Sequence, residues 1–203
     1  SLLNEVHHRV KNNLQVVSSL LSLQARSVPE ELVDAFLESQ GRVKAMALMH
    51  QQLYEHKTYE SIGAAKYSSE LVSLITRSHT MSSSQNIKTI LVPPEREVFL
   101  TMDQALPFGL LLNELVTNSI KHAFTDQDLG EIRISMSQDG DMNIVVVEDN
   151  GKGVEEGVEL GKTTSLGFQL IPGLVEQLDG EIVLIRNQGT RYEIRFRKQE
   201  TEE

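Results

Sequence analysis

The stretch LLLNELVTNSIKHAF, Leu110 to Phe124, decides how this chain is read, because it sets a carboxylate, an amide and a cation along one side of a core-forming helix. At about 100° per residue, Phe108, Leu111, Leu112, Leu115, Ser119 and Ala123 gather on one stripe. Glu114, Asn118 and Lys121 gather on an edge roughly 60° wide. The helix is therefore expected to have a buried face and a polar working edge. Asn118 can offer an oxygen to a hard cation such as Mg2+, which takes few protein ligands and keeps waters and phosphate oxygens. Glu114, one turn earlier, can orient a water or accept a proton. An amphipathic surface helix also carries polar pairs at this spacing, so the surrounding chain has to decide between the two.

Composition narrows the choice. The chain has 203 residues, 39% of them hydrophobic, enough for a real core in one domain with an extension or in two small ones. Cys is absent, which excludes disulfides and thiolate metal sites. A net charge of -10 argues against a nucleic-acid binder, which needs a basic footprint. No apolar run is long enough to span a bilayer and no signal-peptide pattern opens the chain, so no membrane contact and a cytoplasmic location are expected. The sequence opens at Ser1 inside a helical pattern, and a fragment of a longer protein is expected.

From Ser1 to about Ser27 there is neither Gly nor Pro, and Leu3, Val6, Val10, Leu14, Val17 and Leu21 recur in steps of three and four. That pattern predicts one amphipathic helix roughly 40 Å long. Pro29, followed by Glu30 and Glu31, fits the first turn of a second helix that runs to about Tyr54. Two long helices with a short turn make an antiparallel hairpin, and such a hairpin has too little core to stand alone. Pairing with a second copy into a dimeric four-helix bundle is the expected way to bury its stripe.

His56–Gly63 is expected to be a connector, Ala64–His79 a helix and Met81–Asn86 a polar loop. Strands are predicted at Ile87–Val92 and Glu97–Thr101, and hairpins pair Glu131–Ser137 with Met142–Glu148 and Glu181–Ile185 with Tyr192–Phe196. Asp149–Thr164 is Gly-rich and irregular, and Leu166–Leu178 is helical with a kink or restart at Pro172-Gly173. Helices on one face of a mixed sheet make the fold class α+β. The expected units are a helix hairpin at 1–60, a second domain at 61–199 and an acidic tail at 200–203.

Two further motifs carry chemistry. VEDNGKG, Val147–Gly153, puts Asp149 where a strand meets a Gly-rich loop, so that its carboxylate can accept a bond from an exocyclic amine while Gly151 and Gly153 allow close backbone approach. Asp-Asn-Gly is equally a turn sequence. Ser165-Leu166-Gly167 opens a helix whose free N–H groups suit a phosphate, although Ser165 also fits as a simple cap.

Taken together, NELVTN, DNGKG, SLG and GTRYEIRF (Gly189–Phe196) resemble the Bergerat-type ATP-binding domain shared by histidine kinases, type II topoisomerases, mismatch-repair ATPases and heat-shock ATPases, over about Tyr67–Lys198. The resemblance implies an α/β sandwich that binds ATP with Mg2+. Asn118 would coordinate the metal, Asp149 would take the adenine amine with Thr190 in support, and Lys121 and His122 would face the phosphates. Gly151 and Gly153 would shape the adenine pocket, with Lys152–Leu166 as a lid closed at Gly167.

At the other end, Glu5–Gln15, EVHHRVKNNLQ, resembles the phosphoacceptor box of a sensor histidine kinase of the HRVKN type, related to the HWE subclass. The resemblance places phosphorylation on His8. Helical phase agrees, since His8 falls about 160° from the stripe centred near Val10 and Val17 while His7 falls about 60° from it and suits packing. Glu5 is a candidate base for His8, or an ordinary helix partner of Arg9. The chain has no Trp, so the Trp-x-Glu motif of strict HWE members is missing and a neighbouring subclass is expected. The expected activity is ATP-dependent autophosphorylation of His8, with transfer to an Asp of a response regulator receiver domain. The rivals are a serine protein kinase of the anti-sigma-factor type and a kinase-inactive, nucleotide-binding phosphotransfer scaffold. The Gly-rich loop, HRD and DFG patterns of Ser/Thr/Tyr kinases are absent.

Overall fold

The structure, a computed structural model, describes residues 2–55, 61–80, 86–124, 129–162, 166–186 and 188–199, with backbone alone at 2–8, 53–55 and 80. Helices α1 (Leu2–Ala25) and α2 (Glu30–Glu55) form the expected antiparallel hairpin. Its turn is closed by the Arg26 and Ser27 amides on the carbonyls of Leu23 and Gln24, and Glu30 and Glu31 occupy the first turn of α2. Gln40 of α2 donates to the Ser18 carbonyl of α1 at 3.1 Å.

The single stripe read on α1 is in fact two. Leu14 and Leu21 are partly covered and Ala25 is buried, but Val17 is 43% exposed together with Val16, Leu20 and Leu23. Within one chain the hairpin covers one side of α1 and leaves a second apolar side uncovered.

Strand β1 (Ser61–Gly63) pairs antiparallel with β3 (Phe99–Thr101), so the expected connector holds a strand too short to show a period. Residues 56–60, and most of the expected polar loop at 81–86, lie outside the described residues. After α3 (Ala64–Thr80) the main sheet is built from β2 (Asn86–Val92), β4 (Leu129–Asp139), β5 (Met142–Asp149), β6 (Gly180–Arg186) and β7 (Thr190–Arg197). Their order is β2-β4-β5-β7-β6; β2 and β4 are parallel and all other neighbours antiparallel, a mixed sheet as expected.

Alternation along the strands sends Val145 and Val147 of β5 and Tyr192, Ile194 and Phe196 of β7 inward, where they meet Phe108, Leu111, Leu112 and Leu115 of α4 (Met102–Asn118). Helix α4 starts eight residues before Leu110. The same alternation carries Asp149 and Thr190 to the inner face, and the β5–β7 register sets them opposite each other. Sheet pairing thus delivers two of the predicted site residues.

Helix α5 (Leu166–Gln177) runs unbroken through Pro172, so the expected restart is not found. The amide that Pro172 lacks would have served the Phe168 carbonyl, and the Gly161 amide reaches that carbonyl instead at 3.1 Å.

Helices α3 and α4 touch where Gly109 faces the fully buried Tyr67, whose hydroxyl lies 3.5 Å from the Ala45 carbonyl of α2. A Cβ at Gly109 would stand 1.9 Å from that hydroxyl oxygen and 2.7 Å from Cζ. Gly109→Ala is expected to destabilise the fold by about 1–3 kcal/mol through overpacking, read as a lowered urea midpoint at unchanged slope.

Candidate functional site

A cavity of about 240 Å³ opens at the end of β5, between the end of α4, the loop after Asp149 and the start of α5. Asp149 is 8% exposed and lines it. Its Oδ1 accepts the amides of Gly151 (3.0 Å) and Thr190 (3.1 Å), and its Oδ2 accepts the Ser119 hydroxyl at 2.8 Å. Three neutral donors from three segments fix the carboxylate plane, and Oδ2 keeps a lone pair for an incoming amine. Beneath it, burial and then the Asp149 charge push the Tyr192 phenol up, so this wall stays uncharged. Val154, Val158 and Phe168 complete an apolar slot.

The loop closes on the helix end because Gly151 has no side chain. A Cβ there would fall 2.3 Å from the Ala123 carbonyl, which accepts the Lys152 amide at 3.0 Å. Gly153 has φ +79°, a conformation costly for other residues.

The helix end departs from the straight α pattern. Ser119–Ala123 forms a π turn directly after Asn118, and its i to i+5 bonding shifts the phase of the residues beyond Asn118. Asn118 and His122 line the cavity, whereas Lys121 does not. The Lys121 ammonium bonds Glu38 at 2.8 Å and lies 3.4 Å from Asp34, both on α2. Of the single edge expected, Glu114 and Lys121 both bond to α2, whereas Asn118 lines the cavity.

Glu114 is 3% exposed and receives Arg42 of α2 in a bidentate pair, Nε and Nη2 each at 2.8 Å. The Asn113 amide adds a bond to Oε1 at 3.2 Å. Burial opposes the charge of Arg42, but hydrogen bonding and charge from Glu114, with Glu38, more than offset this and raise its pKa. Glu38 thus stands between Arg42 (3.5 Å) and Lys121, and the set ties the hairpin to α4. Gly167 packs against the same place, where a Cβ would stand 2.7 Å from Glu114 Oε2 and 3.6 Å from Asn118 Oδ1.

Of the residues expected from sequence, Asn118, His122, Asp149, Gly153 and Thr190 line one cavity, Gly151 shapes it and Gly167 backs it. Leu166 is 53% exposed and lies outside its lining. Ser165 lies outside the described residues, as do the side chains of His8 and Glu5. Ser119, Phe168 and Tyr192 were not anticipated. Ser119 had a signal, a small hydroxyl on an apolar stripe next to Asn118. Asn118 is 9% exposed, and among the described residues its buried amide nitrogen has no hydrogen-bond partner. Rotation about its last side-chain bond exchanges the amide nitrogen for the oxygen, so this side chain can present an acceptor in place of a donor.

Comparison with known proteins gives two family matches along the chain. A family described as "Histidine kinase" matches residues 5–79, and one described as "Histidine kinase-, DNA gyrase B-, and HSP90-like ATPase" matches residues 103–200. The sensor histidine kinase PdtaS of Mycolicibacterium smegmatis is 33% identical over 89% of this chain and 36% of its own length. Blue-light-activated histidine kinase 2 of Erythrobacter litoralis is 30% identical over 91% of this chain and 53% of its own length. The chain thus spans about a third to a half of these relatives. The solved histidine kinase domain of an Erythrobacter litoralis blue-light-activated histidine kinase superposes with a TM-score of 0.74 at 23% identity, covering 96% of this chain and 94% of that one, a likeness of fold.

Removing one partner of the Arg42–Glu114 pair leaves a buried carboxylate uncompensated. Arg42→Ala is expected to cost about 3–5 kcal/mol in urea unfolding, with part of the loss recovered when Glu114→Gln is added. His122 and His79 both have lowered pKa values, first from burial and then from Lys121. Below about pH 6.5 the unfolded chain binds more protons than the folded one, so these two histidines make stability fall as pH drops through that value. Urea midpoints between pH 7.5 and 5.5 should fall less steeply in a variant with both replaced by Asn.

Proposed function

The chain belongs to the sensor histidine kinase family, and we propose that within it the chain autophosphorylates His8 from Mg-ATP and hands the phosphoryl group to an Asp of a response regulator receiver domain. The observation that carries this reading is the Asp149 cradle, a fixed acceptor at the end of an apolar slot that suits the exocyclic amine of adenine. Thr190 steadies it through its amide. Asn118, which lines the same cavity and whose amide nitrogen has no partner among the described residues, fits a single protein ligand to Mg2+, and that ion would neutralise phosphate charge. His122 and Lys152 line the same cavity and can meet the phosphates, and Lys121 joins them only by leaving Glu38 and Asp34. Glu114 can act on a water or proton there only when Arg42 releases it.

His8 is the nucleophile. A neutral imidazole nitrogen bonds the γ-phosphorus, the bond from that phosphorus to the bridging oxygen breaks, ADP leaves, and the ring proton passes to Glu5 or solvent. An imidazole with a pKa near 6.5 is largely neutral at cellular pH, so no strong base is needed. The phosphohistidine then serves as donor to the receiver Asp.

Residues 1–60 act in this reading as the dimerisation and phosphotransfer hairpin, and 61–199 as the ATP-binding domain. The uncovered Val16, Val17, Leu20 and Leu23 supply the face on which a second copy closes the four-helix bundle. Among the described residues no helix is long and apolar enough to cross a membrane, and a kinase that draws on cellular ATP works, in this reading, in the cytoplasm. A serine kinase of the anti-sigma type would have no use for the matched hairpin, and a nucleotide-binding scaffold without kinase activity need not keep Asn118, Asp149 and the glycines together.

His8→Gln is expected to abolish the acid-labile, base-stable label from γ-labelled ATP while nucleotide binding persists; label retained by this variant would overturn the assignment. Asp149→Asn is expected to weaken ATP binding by about 1.5–3 kcal/mol, roughly ten- to a hundredfold, measured by titration calorimetry.

A further inference from the structure

We propose that Pro172 is a positioning residue for the nucleotide pocket: by withholding an amide inside α5 it frees the Phe168 carbonyl to anchor the loop that forms the pocket's outer wall. The inference rests on the nucleotide reading above. In an uninterrupted helix the amide at position 172 would bond the carbonyl of residue 168, four back. Proline has no amide, and the carbonyl it would have satisfied needs another donor. The Gly161 amide supplies it at 3.1 Å.

The ring contributes as well. Gly161 has φ +80°, and a Cβ on it would stand 3.1 Å from Pro172 Cγ, so the loop lies directly against the proline face. Gly161 is thus held from two sides by one residue pair of α5. Phe168, whose carbonyl takes the bond, is itself buried and lines the nucleotide cavity. Three residues earlier in the loop, the Val158 carbonyl accepts the Arg186 guanidinium from β6, and the Val158 side chain lines the same cavity. The wall made by Val154 and Val158 therefore hangs between a tie to β6 and the tie created by Pro172.

An ordinary residue at 172 would return the amide to Phe168 and compete for the carbonyl. Pro172→Ala is a substitution the helix favours, so the fold survives it. In this variant the Gly161 and Val158 amides are expected to exchange with deuterium at least tenfold faster. The KM for ATP should rise severalfold with kcat nearly unchanged, and the melting temperature should not fall. Gly161→Ala, which leaves α5 intact but pushes the loop off Pro172, should reproduce the rise in KM. Unchanged exchange at Gly161 in Pro172→Ala, or a raised KM in that variant without one in Gly161→Ala, would overturn the proposal. Failure of the wild-type chain to bind ATP would instead sink the kinase reading, and the exchange rates at Gly161 and Val158 would then decide the anchor alone.

Discussion

The Asp149 carboxylate is the point where the ATP-binding half of the molecule is drawn together. It stands at the end of β5, opposite Thr190 of β7, and takes hydrogen bonds from the π turn, from its own loop and from β7. A buried acceptor with fewer donors would be costly, and one fully saturated would have nothing to offer a ligand. Three donors on two oxygens hold the group still and leave one direction open. Sheet register, the π turn and the glycine at 151 are all conditions for that arrangement.

Much of this was legible in the residues themselves. The apolar runs ending at Asp149 and starting after Thr190 marked the two strands that carry the cradle, and the absence of Gly and Pro from Ser1 to Ser27 announced the first helix. What escaped was set by departures from regular period. The π turn cannot be seen in a pattern counted at a constant angle per residue, and the ion pairs of Lys121 with Glu38 and Asp34 of α2 are tertiary contacts that no such count reveals. The three-residue β1 is shorter than any alternation can reveal. Val17 looked like one member of a single stripe because period alone does not distinguish the side of α1 that meets α2 from the side left free.

Pro172 shows the same limit from the other side. Local chemistry marked it as a disturbance, and it is one, but the missing hydrogen bond is made good across the fold by Gly161 rather than by breaking the helix. Burial of polar backbone obeys an accounting that runs over the whole chain, whereas a sequence window sees only its own ends.

The clasp of Arg42 on Glu114 lies one helical turn from Asn118, so the hairpin touches the helix that carries this cavity-lining amide. Linkage makes such a junction two-way. Whatever factor a rearrangement of the hairpin imposes on affinity in the Asp149 cavity, a ligand held in that cavity imposes in return on the hairpin's own equilibrium.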